Sequence, residues 1–233
     1  MYWIILGVTF LISWLVSNRL KSKFEQYSQI RLHSGLTGRQ AAELMLRSYG
    51  IHNVQIICVP GQLTDHYNPM DKTVNLSESV YHGSSAASVA VAAHECGHAV
   101  QHATAYSMLQ LRSALVPLQN LSATILNIIM MISFVGSFVL YNTIPIQTVL
   151  WIIIGAYSVM ALFSLVTLPV EFDASRRAMV WMVNQGVVNY QEKDMAKDAL
   201  FWAAMTYVVA AIGSLSMLAY YVFQLIGASS KDD

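Results

Sequence analysis

Charged residues are absent from three long stretches of this 233-residue chain, 1–18, 113–170 and 199–230, and the pattern between them is of ordinary polarity. A bilayer core about 30 Å thick needs roughly 20 apolar helical residues, so 113–170 has room for two spans. They are read as 119–141 and 147–168, around a turn at YNTIP, residues 141–145. Ala199 to Ile226 predicts another span, and Tyr2 to Ser17 a shorter first one. That first stretch lacks the basic start and small-residue cleavage site of a signal peptide and carries Trp3 and Trp14, which suits a retained anchor. The predicted organisation is a first transmembrane helix over 1–18, a polar region over 19–112, two spans within 113–170, a helix over 171–198, a fourth span over 199–227, and a disordered tail over 228–233.

The region 19–112 has its own pattern. TGRQAAELMLRSYG, residues 37–50, predicts a helix capped by Thr37 and ended by Gly50 in the left-handed conformation. VQIICV, 54–59, predicts a strand stopped at Pro60-Gly61. Residues 63–77 predict two short strands about Asn68-Pro69-Met70-Asp71. Ser84 or Ser85 then starts an alanine-rich helix running through AASVAVAAHECGHAVQHATA.

Composition adds that the chain is 55% hydrophobic and 11% charged, with 13 basic and 13 acidic side chains, which argues against a nucleic-acid partner. The basic residues are unevenly placed. Arg19, Lys21, Lys23 and Arg31 follow the first span, Arg112 precedes the second, and Arg176, Arg177, Lys193 and Lys197 lie between the third and fourth. The positive-inside rule then puts 19–112 and 171–198 in the cytoplasm of a multi-pass cell-membrane protein. Two cysteines, Cys58 and Cys96, each inside a predicted element, make no disulfide framework.

The chemistry lies in AAHECGHAVQH, residues 92–102. On a helix, His94 and His98 share a face about 6 Å apart in rise, so both rings can reach one zinc ion. Glu95, about 100° around from His94, is placed to act as general base toward a water at the metal. The plain alternative buries two imidazoles and a carboxylate on an apolar helix, costing a few kcal/mol unless each is paired. A catalytic zinc wants three protein ligands and an open position. His102 lies about 12 Å in rise from His94, too far for a shared ion with bonds of about 2 Å, and suits an interface or supporting role instead.

LPVEFDASRRA, 168–178, supplies other candidates. Pro169 is expected to break the preceding helix and to put Glu171 in the first turn of a new one, as third ligand. Asp173, about 200° around, would face away, whereas Ser175 shares the face of Glu171 and can hydrogen-bond a ligand. A helix N-terminus favouring negative charge also explains both carboxylates without a metal.

HECGH with EFDAS some 70 residues later resembles the gluzincin pattern of HtpX-type membrane proteases and the prenyl-protein endoproteases. AAHECGHAVQH, TDHYNP and LPVEFDASRRA together are similar to the YugP-like family of bacterial membrane zinc metallopeptidases, over about residues 19–220. The resemblance implies His94, His98 and Glu171 as ligands of one Zn2+ per chain and Glu95 as catalytic base. Ser175 stands where gluzincins carry an aspartate that orients a ligand histidine. The fold implied is mainly α, a polytopic membrane protein of about four transmembrane helices with a small α+β zincin-like cytoplasmic domain. Thr73 to Leu76 resembles the edge strand on which such proteases align a peptide. Candidates for stabilising the oxyanion are His66, Tyr67, His82, and Arg176 or Arg177.

The expected activity is zinc-dependent endopeptidase cleavage of membrane-associated proteins or peptides at the cytoplasmic face. The rival is a membrane scaffold or partner-binding protein with a structural zinc, which would want four protein ligands and no Glu95.

Overall fold

The computed structural model describes residues 1–143 and 145–229. The protein is mainly helical, with helices α1 Tyr2–Ser28, α2 Gly38–Ser48, α3 Glu78–Tyr81, α4 Ala86–Ala103, α5 Ser107–Thr143, α6 Ile146–Asn184 and α7 Tyr190–Ser229, and strands β1 Gln55–Val59, β2 His66–Asn68 and β3 Thr73–Ser77. Among the described residues, four helices, α1, α5, α6 and α7, are long and apolar enough to cross a membrane. The expected turn at 141–145 includes Ile144, and the expected disordered tail includes 230–233; both lie partly outside the described residues.

Two compact units divide the chain. One comprises Met1–Ser13, Leu111–Thr167 and the segment from Tyr207 onward; the other comprises Trp14–Gln110 and Leu168–Thr206. In the first, aromatic rings join the helices: Tyr157 stacks on Tyr221 with ring centroids 5.5 Å apart, and Tyr2 lies 5.8 Å from Tyr220.

The second unit holds α2, the sheet, α4 and the polar ends of the long helices. Helix α2 follows its sequence signals. Thr37 and Gln40 form a reciprocal capping box. At the other end Gly50 takes φ 69°, its N–H meets the Arg47 carbonyl at 3.0 Å, and the Ile51 N–H meets Leu46 at 2.9 Å. That pair of bonds satisfies carbonyls a helix end leaves open, and Ile51 packs with Leu46 in the core. Strand order is β1-β3-β2. β1 runs parallel to β3 from Gln55 opposite Thr73 to Val59 opposite Ser77, and β2 runs antiparallel from His66 opposite Asn75 to Asn68 opposite Thr73. Asp65 clips the hairpin by accepting the Ser77 N–H at 2.7 Å. The core gathers Met45, Leu46, Val74, Leu76, Val89, Val100, Trp181 and Met182 around α4.

Four local expectations are corrected. β3, read as an edge strand, is the central strand and is buried along its whole length. Its central place comes from β1 pairing along one edge and β2 along the other, with α3 and α4 packed against it. Pro169 does not break a helix, since α6 runs through it. A proline removes one N–H partner, for the carbonyl four residues back. In an apolar helix, uncoiling would expose several more backbone groups, so one lost bond is the smaller penalty. The first helix likewise continues past residue 18 to Ser28, and its polar end is held by Lys23 and Tyr27, both bonded to Asp198 of α7. Finally, 171–198 is not one helix. Gly186 at φ 61° ends α6 with the Gly50-type pair of bonds, and Asn189 with Glu192 caps α7 reciprocally. Glu192 also takes the N–H and ring nitrogen of His33, each at 2.7 Å.

Candidate metal centre

Helix α4 starts where Ser85 accepts the Ser88 N–H. Its run of alanine and valine is buried on nearly every side. Four residues apart on one helical face, His94 and His98 present their rings side by side, centroids 4.8 Å apart and nearly perpendicular. Between them in sequence, Gly97 faces the backbone of α6: a Cβ there would stand 2.6 Å from the Ala174 carbonyl oxygen. The absent side chain lets the two helices meet backbone to backbone, with Ala174 and Ala178 fully buried at the contact.

That close approach brings Glu171, 2% exposed, against the histidine pair. Its Oε2 lies 3.2 Å from His94 Nε2 and 3.5 Å from His98 Nε2. Ligand atoms of the three residues all lie within 4.8 Å of one another, the one such group of three among the described residues. Two imidazole nitrogens and one carboxylate oxygen converging on a point are a donor set that suits zinc and leaves a fourth position open, so the residues fit the metal. Burial works against charge on His98, but the hydrogen bond and negative charge of Glu171 outweigh it, and its pKa rises.

The far side of each ring is held too. Ser175 Oγ lies 3.0 Å from His94 Nδ1. His98 Nδ1 meets Gln101 Oε1 at 3.0 Å, and the Gln101 amide nitrogen donates to the Val170 carbonyl at 2.8 Å and to Asp173 at 3.0 Å. Asp173 is in turn paired with Arg176 and Arg177. The expectation that Asp173 faces away is thus corrected: its carboxylate turns back along α6 to reach Gln101. Sequence reasoning passed over Gln101, whose signal was an amide three residues after His98 on a helix otherwise built of small apolar groups.

Glu95 is 8% exposed, and burial pushes its carboxyl above the usual range, with His94 and His98 opposing and Glu171 and Asp65 adding to the shift. Cys96 is buried on another face, its thiol against the Ala42 carbonyl and its pKa pushed up by burial. Of the oxyanion candidates, Tyr67 extends its hydroxyl to 2.9 Å from His102 Nδ1, one helical turn past His98. His66 is exposed and bonded to the Thr64 carbonyl, His82 is exposed with its ring edge-on to Tyr81, and Arg176 and Arg177 are engaged by Asp173.

The chain belongs to a family of zinc metallopeptidases: the profile of the family described as "Putative neutral zinc metallopeptidase" matches residues 2–226. Among curated proteins it is similar to the "Putative membrane protease YugP" of Bacillus subtilis (strain 168), 37% identical over 224 residues that cover 95% of this chain and 94% of that relative. No solved structure matches it.

Proposed function

We propose that this protein is an integral membrane zinc metalloendopeptidase in which His94, His98 and Glu171 hold the metal and Glu95 is the catalytic base. The observation that carries the reading is the convergence of both histidine Nε2 atoms on the Glu171 carboxylate, beside a buried Glu95. Bound there, zinc supplies Lewis acidity that polarises the scissile carbonyl and acidifies a water. Glu95 takes the proton of the attacking water and later hands it to the leaving amine, a role suited by its raised proton affinity.

The substrate's extended backbone aligns on β2, an edge strand of the sheet among the described residues. Tyr67 lies on that strand with its hydroxyl at His102, and is the oxyanion donor we favour. The segments 19–112 and 171–198 form a zincin-like domain at the cytoplasmic face, a sidedness supported by their basic residues. Substrates are membrane proteins or membrane-tethered peptides, because a site carried by extensions of apolar helices meets chains near the bilayer surface first.

Glu95→Gln tests the reading. Zinc content should stay at one ion per chain, while cleavage of substrates trapped on the variant in membranes falls by about 10²–10⁴-fold relative to wild type. Undiminished cleavage would return the zinc to a structural role and the protein to the scaffold class.

A further inference from the structure

We infer that Gln101 is a positioning residue that sets the tautomer of His98, and that it does so because α6 fixes which end of its amide faces which way. The inference rests on the zinc-ligand reading for its consequence, but the tautomer itself is a property of the protein without metal.

Gln101 is fully buried and its carboxamide makes three hydrogen bonds. An amide's oxygen and nitrogen ends are assigned from their partners. Toward α6 the partners are the Val170 carbonyl, which can only accept, and the Asp173 carboxylate, which is paired with Arg176 and Arg177. Reversing the amide would set its oxygen against both acceptors in a buried site. The nitrogen must therefore face α6 and the oxygen must face His98 Nδ1. An oxygen that can only accept requires a proton on Nδ1, so Nε2, the atom 3.5 Å from Glu171 Oε2, is the ring nitrogen left to give up its proton to a metal. A cation between Nε2 and the carboxylate then takes the place that a shared proton can occupy.

His94 differs. Its Nδ1 partner is the Ser175 hydroxyl, which rotates to donate or to accept and so tolerates either tautomer. A stretch of α6 under two turns long, 170–175, thus supplies a ligand at Glu171, a fixed orienter of His98 through Val170 and Asp173, and a permissive partner for His94. Docking α6 presents the third ligand and selects the binding form of the second in one step.

The test uses full-length detergent-solubilised protein with ¹⁵N-labelled histidine, stripped of metal, and zinc alone as the probe. In wild type, ring ¹⁵N shifts assigned by difference against His98→Ala should show His98 Nδ1 protonated throughout, so that the neutral ring is a single Nδ1–H tautomer. Gln101→Ala should make it a mixture and weaken zinc binding, read by chelator competition, by about 10–100-fold. Asp173→Asn, which keeps the volume but allows the amide to reverse, should move both readouts the same way by less, and it serves where Gln101→Ala does not fold. An unchanged His98 tautomer in whichever variant folds would overturn the inference. A wild-type protein that shows the fixed tautomer yet binds no zinc would instead remove the metalloenzyme reading and leave the amide relay standing.

Discussion

The two helices that make the candidate metal centre contribute in different ways. Helix α4 brings His94 and His98 together by its own pitch, so that half of the site exists wherever the segment is helical. Helix α6 brings Glu171 only by packing, across a contact that depends on Gly97 having no side chain. One half is local and the other is tertiary. The first can be read from spacing; the second holds only while two backbones touch.

Removing the tertiary half is expected to have the largest effect. If roughly 10–16 kcal/mol of zinc binding is shared among four ligand positions, three protein and one water, each is worth about 2.5–4 kcal/mol, so Glu171→Ala should weaken zinc binding by about two to three orders of magnitude. His102→Ala, at a position engaged with Tyr67 rather than the cluster, should stay within about twofold of wild type under the same chelator competition. Equal losses in the two variants would make His102 a ligand and dissolve the division between the helices.

Gly97→Ala separates the halves more gently. Helix propensity favours alanine by about 1 kcal/mol, but a Cβ 2.6 Å from the Ala174 oxygen must push α6 away, and overpacking costs typically about 1–3 kcal/mol. Packing should win: calorimetry is expected to give a lower Tm, and titration about tenfold weaker zinc binding. A variant as stable as wild type with unchanged affinity would mean that the helix contact is not what delivers Glu171. Smaller again is the effect expected of Ser175→Ala. Since the hydroxyl supports His94 without dictating its tautomer, zinc affinity should fall at or below the low end of the ~10–100-fold range for such partners. A larger loss than in Gln101→Ala would reverse the ranking of the two histidine supports.

Much of the second unit was legible because its signals are short-range. Thr37 and Gln40, Gly50, and the Asn68 to Asp71 turn each act within a few residues, and the elements they bound appear as expected. Gly186 and Asn189 were equally local, a helix stop followed by a cap, but lay inside a stretch read as one helix. Pro169 misled because its penalty was weighed alone, without the greater penalty of freeing neighbouring backbone groups in an apolar helix. The reach of Asp173 to Gln101 left no local trace, since it depends on a partner 72 positions along the chain, and the central place of β3 depended on which neighbouring strand took its second edge.

By itself the sequence determined the apolar helices, the small hairpin, and a helix on which two histidines and a glutamate fall at fixed angles, because helix pitch and hydrophobic length are properties of neighbouring residues. Only the tertiary structure decided which carboxylate meets the histidines and which residue stands behind each ring. Those depend on residues some 70 positions apart being pressed together, and at Gly97 the missing side chain permits it.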